Sequence, residues 1–219
     1  MLRTAFTCLL FLCFYHAAKS QDLAYYEASQ VHYEASEDSS FLLALREAYG
    51  KHKVYPAEME LEILIALAHY PELKDTRIHF MFREQDVAHS TSPLVGTLFS
   101  KKSKRVYMVY ISTKVPTDLE GSLSSSMNYN ARIGVMAHEL AHISWYEEQN
   151  AFQLMGAAIG YLFPAYRRNM ERATDYSVIG HNLAHQLWAW STAVHDIHIA
   201  DGRGDLYLSP EEIESQILK

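Results

Sequence analysis

From Phe41 to Tyr49 apolar residues recur at helical spacing, behind Asp38, Ser39 and Ser40, whose side chains can accept the first free N–H groups of a helix. Pro56 suits the opening of a second helix that runs to about His69, with Met59, Ile63, Leu64 and Leu67 on one face, and Pro71 stops it. The period then changes. Ile78-His79-Phe80-Met81-Phe82 reads as a strand and Leu94 to Phe99 as a shorter one. Arg105 to Ser112 reads as a third, with Val106, Met108 and Tyr110 alternating against Tyr107, Val109 and Ile111. Asp118 to Ser126 is a Ser- and Gly-containing loop. From about Asn130 the pattern is helical again. One helix runs to about Glu148, a second from Ala151 to Pro164, a third over about Ala165 to Ile179 before Gly180, and a fourth from His181 to about His195. Ser209-Pro210-Glu211-Glu212 begins a short last one. Helices, then a small sheet, then a helical half predict an α+β class, mostly helical, with a small mixed or antiparallel sheet.

The N-terminus changes this picture. Arg3 precedes an apolar run from Ala5 to Tyr15, too short to span a bilayer, and Ala18 and Ser20 suit a cleavage site before Gln21. Residues 1–20 therefore read as a secretory signal peptide, and 21–219 as one domain. Residues 21–39 form a loose N-terminal arm or a short helix, with a small repeat, Tyr26-Glu27-Ala28-Ser29 and Tyr33-Glu34-Ala35-Ser36. The expected location is secreted or periplasmic. Both cysteines, Cys8 and Cys13, lie in the signal, so the mature chain would have no disulfide, and a metal site in it must use His and carboxylates. Loss of residues 1–20 removes Arg3 and Lys19 and no acid, taking the net charge from −7 to −9. So acidic a chain is a poor candidate for binding nucleic acid or anionic lipid. No apolar stretch after the signal is long enough to span a membrane.

The chemistry concentrates in Ile133-Gly134-Val135-Met136-Ala137-His138-Glu139-Leu140-Ala141-His142-Ile143. This is HExxH in an apolar helical setting. Residues four apart share a helix face, so both imidazoles can reach one ion, while Glu139 sits one position round, near the ion's water. Met136, Leu140 and Ile143 can anchor the helix in the core. Zinc needs a third protein ligand and one open position. The HExxHxxGxxH arrangement fails, because Trp145 and Glu148 stand where Gly and His are required. The best third ligand is Glu171, in Glu171-Arg172-Ala173-Thr174-Asp175 on a later helix. Asp175, four residues on, could accept the free ring N–H of a ligand histidine and fix its tautomer.

HExxH followed on a later helix by ExxxD resembles the pattern of the gluzincins, the zinc peptidases with a glutamate third ligand. The resemblance covers about residues 133–180 and is closest to the small peptidases related to the prenyl-protein and heat-shock zinc peptidases. Those cross the membrane several times, and this chain has no span after its signal. The resemblance implies a zincin-like fold with the sheet beside the HExxH helix. It also implies one zinc ion on His138, His142 and Glu171, Glu139 as general base, and Asp175 behind a ligand. The strand at 105–112 is then the expected substrate-edge strand, and peptide or protein the expected substrate. A second oxyanion donor would come from among His181, His185, His195, His198 and the tyrosines.

Two rival readings remain. One is a catalytically inactive metal-binding or interaction module on the same scaffold. The other is a calcium-responsive extracellular protein, because Asp201, Asp205, Ser209 and Glu212 fall at positions one, five, nine and twelve of an EF-hand loop. Arg203 at position three and Leu206 in place of the turn glycine weigh against calcium, and a turn followed by a capped helix explains the same residues.

Overall fold

A computed structural model describes residues 32–34 and 39–218, so the expected signal peptide and most of the arm, Asp38 included, lie outside the described residues. Helix α1 (Ser39–Tyr49) leads through the short strand β1 (Lys53–Val54) and a 3-10 turn to α2 (Glu60–Ala68). Strands β2 (Arg77–Phe82), β3 (His89–Pro93) and β4 (Val106–Ile111) follow. The helical half comprises α3 (Tyr129–Glu148), α4 (Ala151–Gly160), α5 (Pro164–Gly180), α6 (Ala184–Ala200) and α7 (Pro210–Ile217). The class is α+β with a small mixed sheet, as the patterning predicts. No helix among the described residues is long and apolar enough to cross a membrane.

The sheet order is β1-β2-β4-β3. β1, β2 and β4 run parallel, with β2 and β4 in register from Arg77 opposite Val106 to Phe82 opposite Ile111, and β3 is antiparallel to β4. Two expectations are corrected here. The strand near 105–112 is interior, and its near-continuous apolar run is what a strand with neighbours on both sides carries. The sheet edge is β3, whose sequence His-Ser-Thr-Ser-Pro gives no apolar alternation and ends in a proline that suits an edge. Leu94 to Phe99 is not a strand. After the Leu94 N–H closes on the Val106 carbonyl, the chain turns through a 3-10 segment, Val95–Thr97.

One cluster of buried apolar side chains joins α1, α2, the sheet and the helical half. α2 lies in its middle and is buried nearly all round rather than on one face, from Glu62 to Ala68. Its two buried carboxylates are paired: Glu60 with Arg46, and Glu62 with Arg132 at 2.8 Å. That pairing makes their burial tolerable. The beginning of the chain is tied into the same core. Tyr33 donates its N–H to the Asn130 side chain (2.8 Å) and receives a bond on its carbonyl from the same amide (2.9 Å). Its hydroxyl lies 2.7 Å from His69 Nε2. At least this part of the expected arm is therefore anchored.

Candidate metal centre

Helix α3 starts where the Asn128 side chain accepts the Ala131 N–H, and apart from Arg132 it is buried from Asn130 to Ile143. Gly134 makes this depth attainable, because a Cβ there would stand 2.1 Å from the Gln186 carbonyl oxygen of α6. The missing side chain lets the two helix backbones approach and fixes α3 one turn before His138. On the neighbouring side, Pro164 supplies a first-turn residue for α5 that needs no hydrogen-bond acceptor, and α5 brings Glu171, Thr174 and Asp175 inward.

His138, His142 and Glu171 meet in the interior, and among the described residues they form a group whose ligand atoms all lie within 4.8 Å of one another. With Glu139 and Asp175, every member of the set is at most 6% exposed. His138 Nε2 lies 3.0 Å and His142 Nε2 3.4 Å from the same oxygen of Glu171. Those spacings match the edge of a tetrahedron with bonds of about 2.0 Å, roughly 3.3 Å. The other ring nitrogens are held from behind. His138 Nδ1 is 2.8 Å from Asp175 Oδ1, whose second oxygen accepts the Leu208 N–H at 2.8 Å. Thr174 gives its hydroxyl proton to the Met170 carbonyl (2.9 Å), so in its 3.3 Å contact with His142 Nδ1 it accepts. Both rings are thus fixed with Nδ1–H outward and Nε2 toward Glu171, as metal-bound imidazoles require. The residues present fit a divalent ion.

Electrostatics agree with the geometry. Burial by itself would lower the His138 pKa, but Asp175 and Glu171 outweigh it and hold the ring well above the usual histidine value. Burial would raise Glu171, yet the charges and hydrogen bonds of His142 and His138 hold it well below the carboxylate range. A cation held by these residues would take the place of the direct contact between His138 Nε2 and Glu171, and its binding would compete with protonation of the ring.

The group opens onto a cleft of about 480 Å³. One wall is the edge strand β3, where the Thr91 hydroxyl donates to Glu139 Oε2 at 2.6 Å. The opposite wall is α4, through Leu154 and Ala157, and the beginning of α5. Tyr146, Trp190, His198 and Tyr207 complete the lining. The His198 ring stacks on Tyr207 with centroids 4.8 Å apart, and burial, reinforced by Arg203, pushes its pKa down to about 4. Of the four histidines considered as oxyanion donors, His198 alone lines this cleft. His181 instead stacks on Tyr70 and bonds to Glu72.

The residues of the degraded calcium loop have other partners. Glu212 and Ser209 form the capping box that starts α7, Glu212 also binds Arg172, and Asp205 lies 3.4 Å from Arg168. Thr91 and Thr174 escaped sequence reasoning. Thr174 shares a helix face with Glu171 and could have been found by that spacing, whereas nothing in the polar run of β3 marks Thr91. No family model, curated protein or solved structure matches the chain.

Proposed function

We propose that this chain is a zinc-dependent endopeptidase of gluzincin type, secreted or periplasmic, with Glu139 as general base. The observation that carries the reading is the convergence of His138, His142 and Glu171 at the floor of a cleft beside Glu139 and an open sheet edge. A zinc ion held by that set would polarise a carbonyl and make water a nucleophile near neutral pH. The chain's own residues supply the rest. Glu139 accepts the proton of the attacking water and returns it to the departing amine, which leaves the carboxylate as it began. The Thr91 hydroxyl, 2.6 Å from Oε2, holds that carboxylate in one orientation. The outer edge of β3 suits an extended peptide, which can pair its main chain there and lay alternate side chains in the cleft. Tyr146, Tyr207 and His198 line the cleft and are the candidate donors to a developing oxyanion.

The test pairs two variants. Glu139→Gln should retain stoichiometric zinc and lose nearly all chelator-sensitive cleavage of an unfolded protein substrate. Glu171→Ala should lose the zinc itself. A wild-type protein with full zinc and no cleavage of any peptide library would favour the inactive metal-binding module instead.

A further inference from the structure

α4 carries no charged residue and is apolar on two opposite sides. Leu154 and Ala157 face the cleft, whereas Phe152, Met155 and Ile159, at spacings of three, four and seven, form the other stripe. That stripe is open: Phe152 is 77% and Ile159 61% exposed. The turn after α4 extends it with Leu162 at 80% and Phe163 at 62%. Phe99, itself 69% exposed, meets Phe152 with ring centroids 6.1 Å apart and joins the segment before β4 to the same patch. A contiguous exposed surface of this kind is uncommon on a protein that meets only water.

Charge says what covers it. The chain has 26 acidic and 19 basic side chains, yet no acid falls within 94–105 or 149–170, the two segments that build the patch. They carry Lys101, Lys102, Lys104, Arg105, Arg167 and Arg168 instead. Lys101, Lys104 and Arg168 are exposed at the rim. Lys102 bonds the main-chain carbonyls of Glu147 and Glu148 at the end of α3, and Arg168 pairs with Asp205 at 3.4 Å, so the exposed Lys101 and Lys104 supply the positive charge beside the patch. The two segments that build the patch are thus basic within a chain that is acidic as a whole.

We propose that the outer face of α4, the turn after it and the Lys101–Lys104 segment form a docking surface for an anionic lipid bilayer. Phe152, Leu162 and Phe163 enter the acyl boundary while the lysines meet lipid phosphates, the arrangement of an interfacial helix that lies on a membrane rather than across it. The proposal does not rest on the peptidase reading, since the stripe faces away from the cleft, and Glu139→Gln should leave it unchanged.

Sedimentation of the full chain with vesicles tests it, using phosphatidylcholine alone and mixed with phosphatidylglycerol. Binding should favour the anionic vesicles and weaken as salt rises. Phe152→Ser with Leu162→Ser and Phe163→Ser should weaken partitioning by at least about tenfold. Lys101→Glu with Lys104→Glu should abolish the preference for anionic lipid. All variants keep residues 1–20, so any contribution of that apolar segment cancels in the comparison. Phe163→Trp should give emission quenched by brominated acyl chains. Equal binding by all variants, or an unquenched Trp at 163, overturns the proposal. So does a wild-type dimer in light scattering that the serine variant converts to monomer, because the stripe would then be an interface between two copies.

Discussion

Replacing Asp175 by Asn removes one charge and changes no volume, yet it should disable the metal centre. Asp175 is 1% exposed and its two oxygens each accept one N–H, from His138 Nδ1 at 2.8 Å and from Leu208 at 2.8 Å. Asn has one acceptor atom and one donor group, so it cannot serve both. If its oxygen faces His138, its NH2 abuts the Leu208 N–H and a buried donor is left unpaired, at a cost of about 1–3 kcal/mol. If it is turned over, His138 must move its proton to Nε2, the nitrogen that faces Glu171, and the ring ceases to be a ligand. Either way the negative charge that raises the basicity of His138 is gone. Loss of such a partner lowers metal affinity about 10- to 100-fold, equivalent to roughly 1.4–2.7 kcal/mol. The assay is competition for zinc between the protein and a chromogenic chelator at neutral pH. Urea denaturation in excess chelator measures the packing cost separately. A zinc affinity for Asp175→Asn within threefold of wild type would refute the reasoning, whatever happened to stability.

Other consequences can be checked independently. Gly134→Ala should lower stability by about 2 kcal/mol or more in urea denaturation, because the new Cβ meets backbone of α6 at 2.1 Å and the clash outweighs the better helix propensity of alanine. Zinc binding should weaken with it, since His138 lies one turn on. His198 has a folded pKa pushed down to about 4 from an ordinary 6.5, so its contribution is fully present above pH 6.5 and is lost as pH falls toward 4. The stability of wild type relative to His198→Phe should therefore fall by as much as about 3 kcal/mol over that interval, and a difference that does not vary with pH would contradict it. Thr91→Val should reduce kcat for peptide cleavage with zinc content unchanged, because it frees the Glu139 carboxylate from its 2.6 Å donor. Unaltered turnover would remove Thr91 from the machinery.

How much of this was legible in the sequence depended on the range of the physics involved. His138, Glu139 and His142 are set by the pitch of one helix, and Glu171 with Asp175 by that of another, so local periodicity sufficed to name them. The helices from Asn130 onward follow from caps and from Gly and Pro stops, and their ends moved by only a few residues. The second ends early, at Gly160, and the fourth moves at both ends, from Ala184, after a loop that includes Asn182 in a left-handed conformation, to Ala200. β3 was missed because an edge strand beside a cleft has no face to bury on that side and so no apolar rhythm to betray it. The same absence hid Thr91.

What the chain alone determined was the set of side chains able to hold a metal, because those are fixed by spacing within single helices. Whether they converge was decided by the packing of α3 against α5 and α6, where a backbone contact at Gly134 and a carboxylate shared between His138 and Leu208 join residues far apart in sequence. The exposed stripe is of the same kind. Phe99 and Phe152 read as ordinary apolar residues, and net charge described the whole chain as acidic. Only folding brings the two basic, apolar segments together, since exposure and local field are properties of neighbours in space and not of order along the chain.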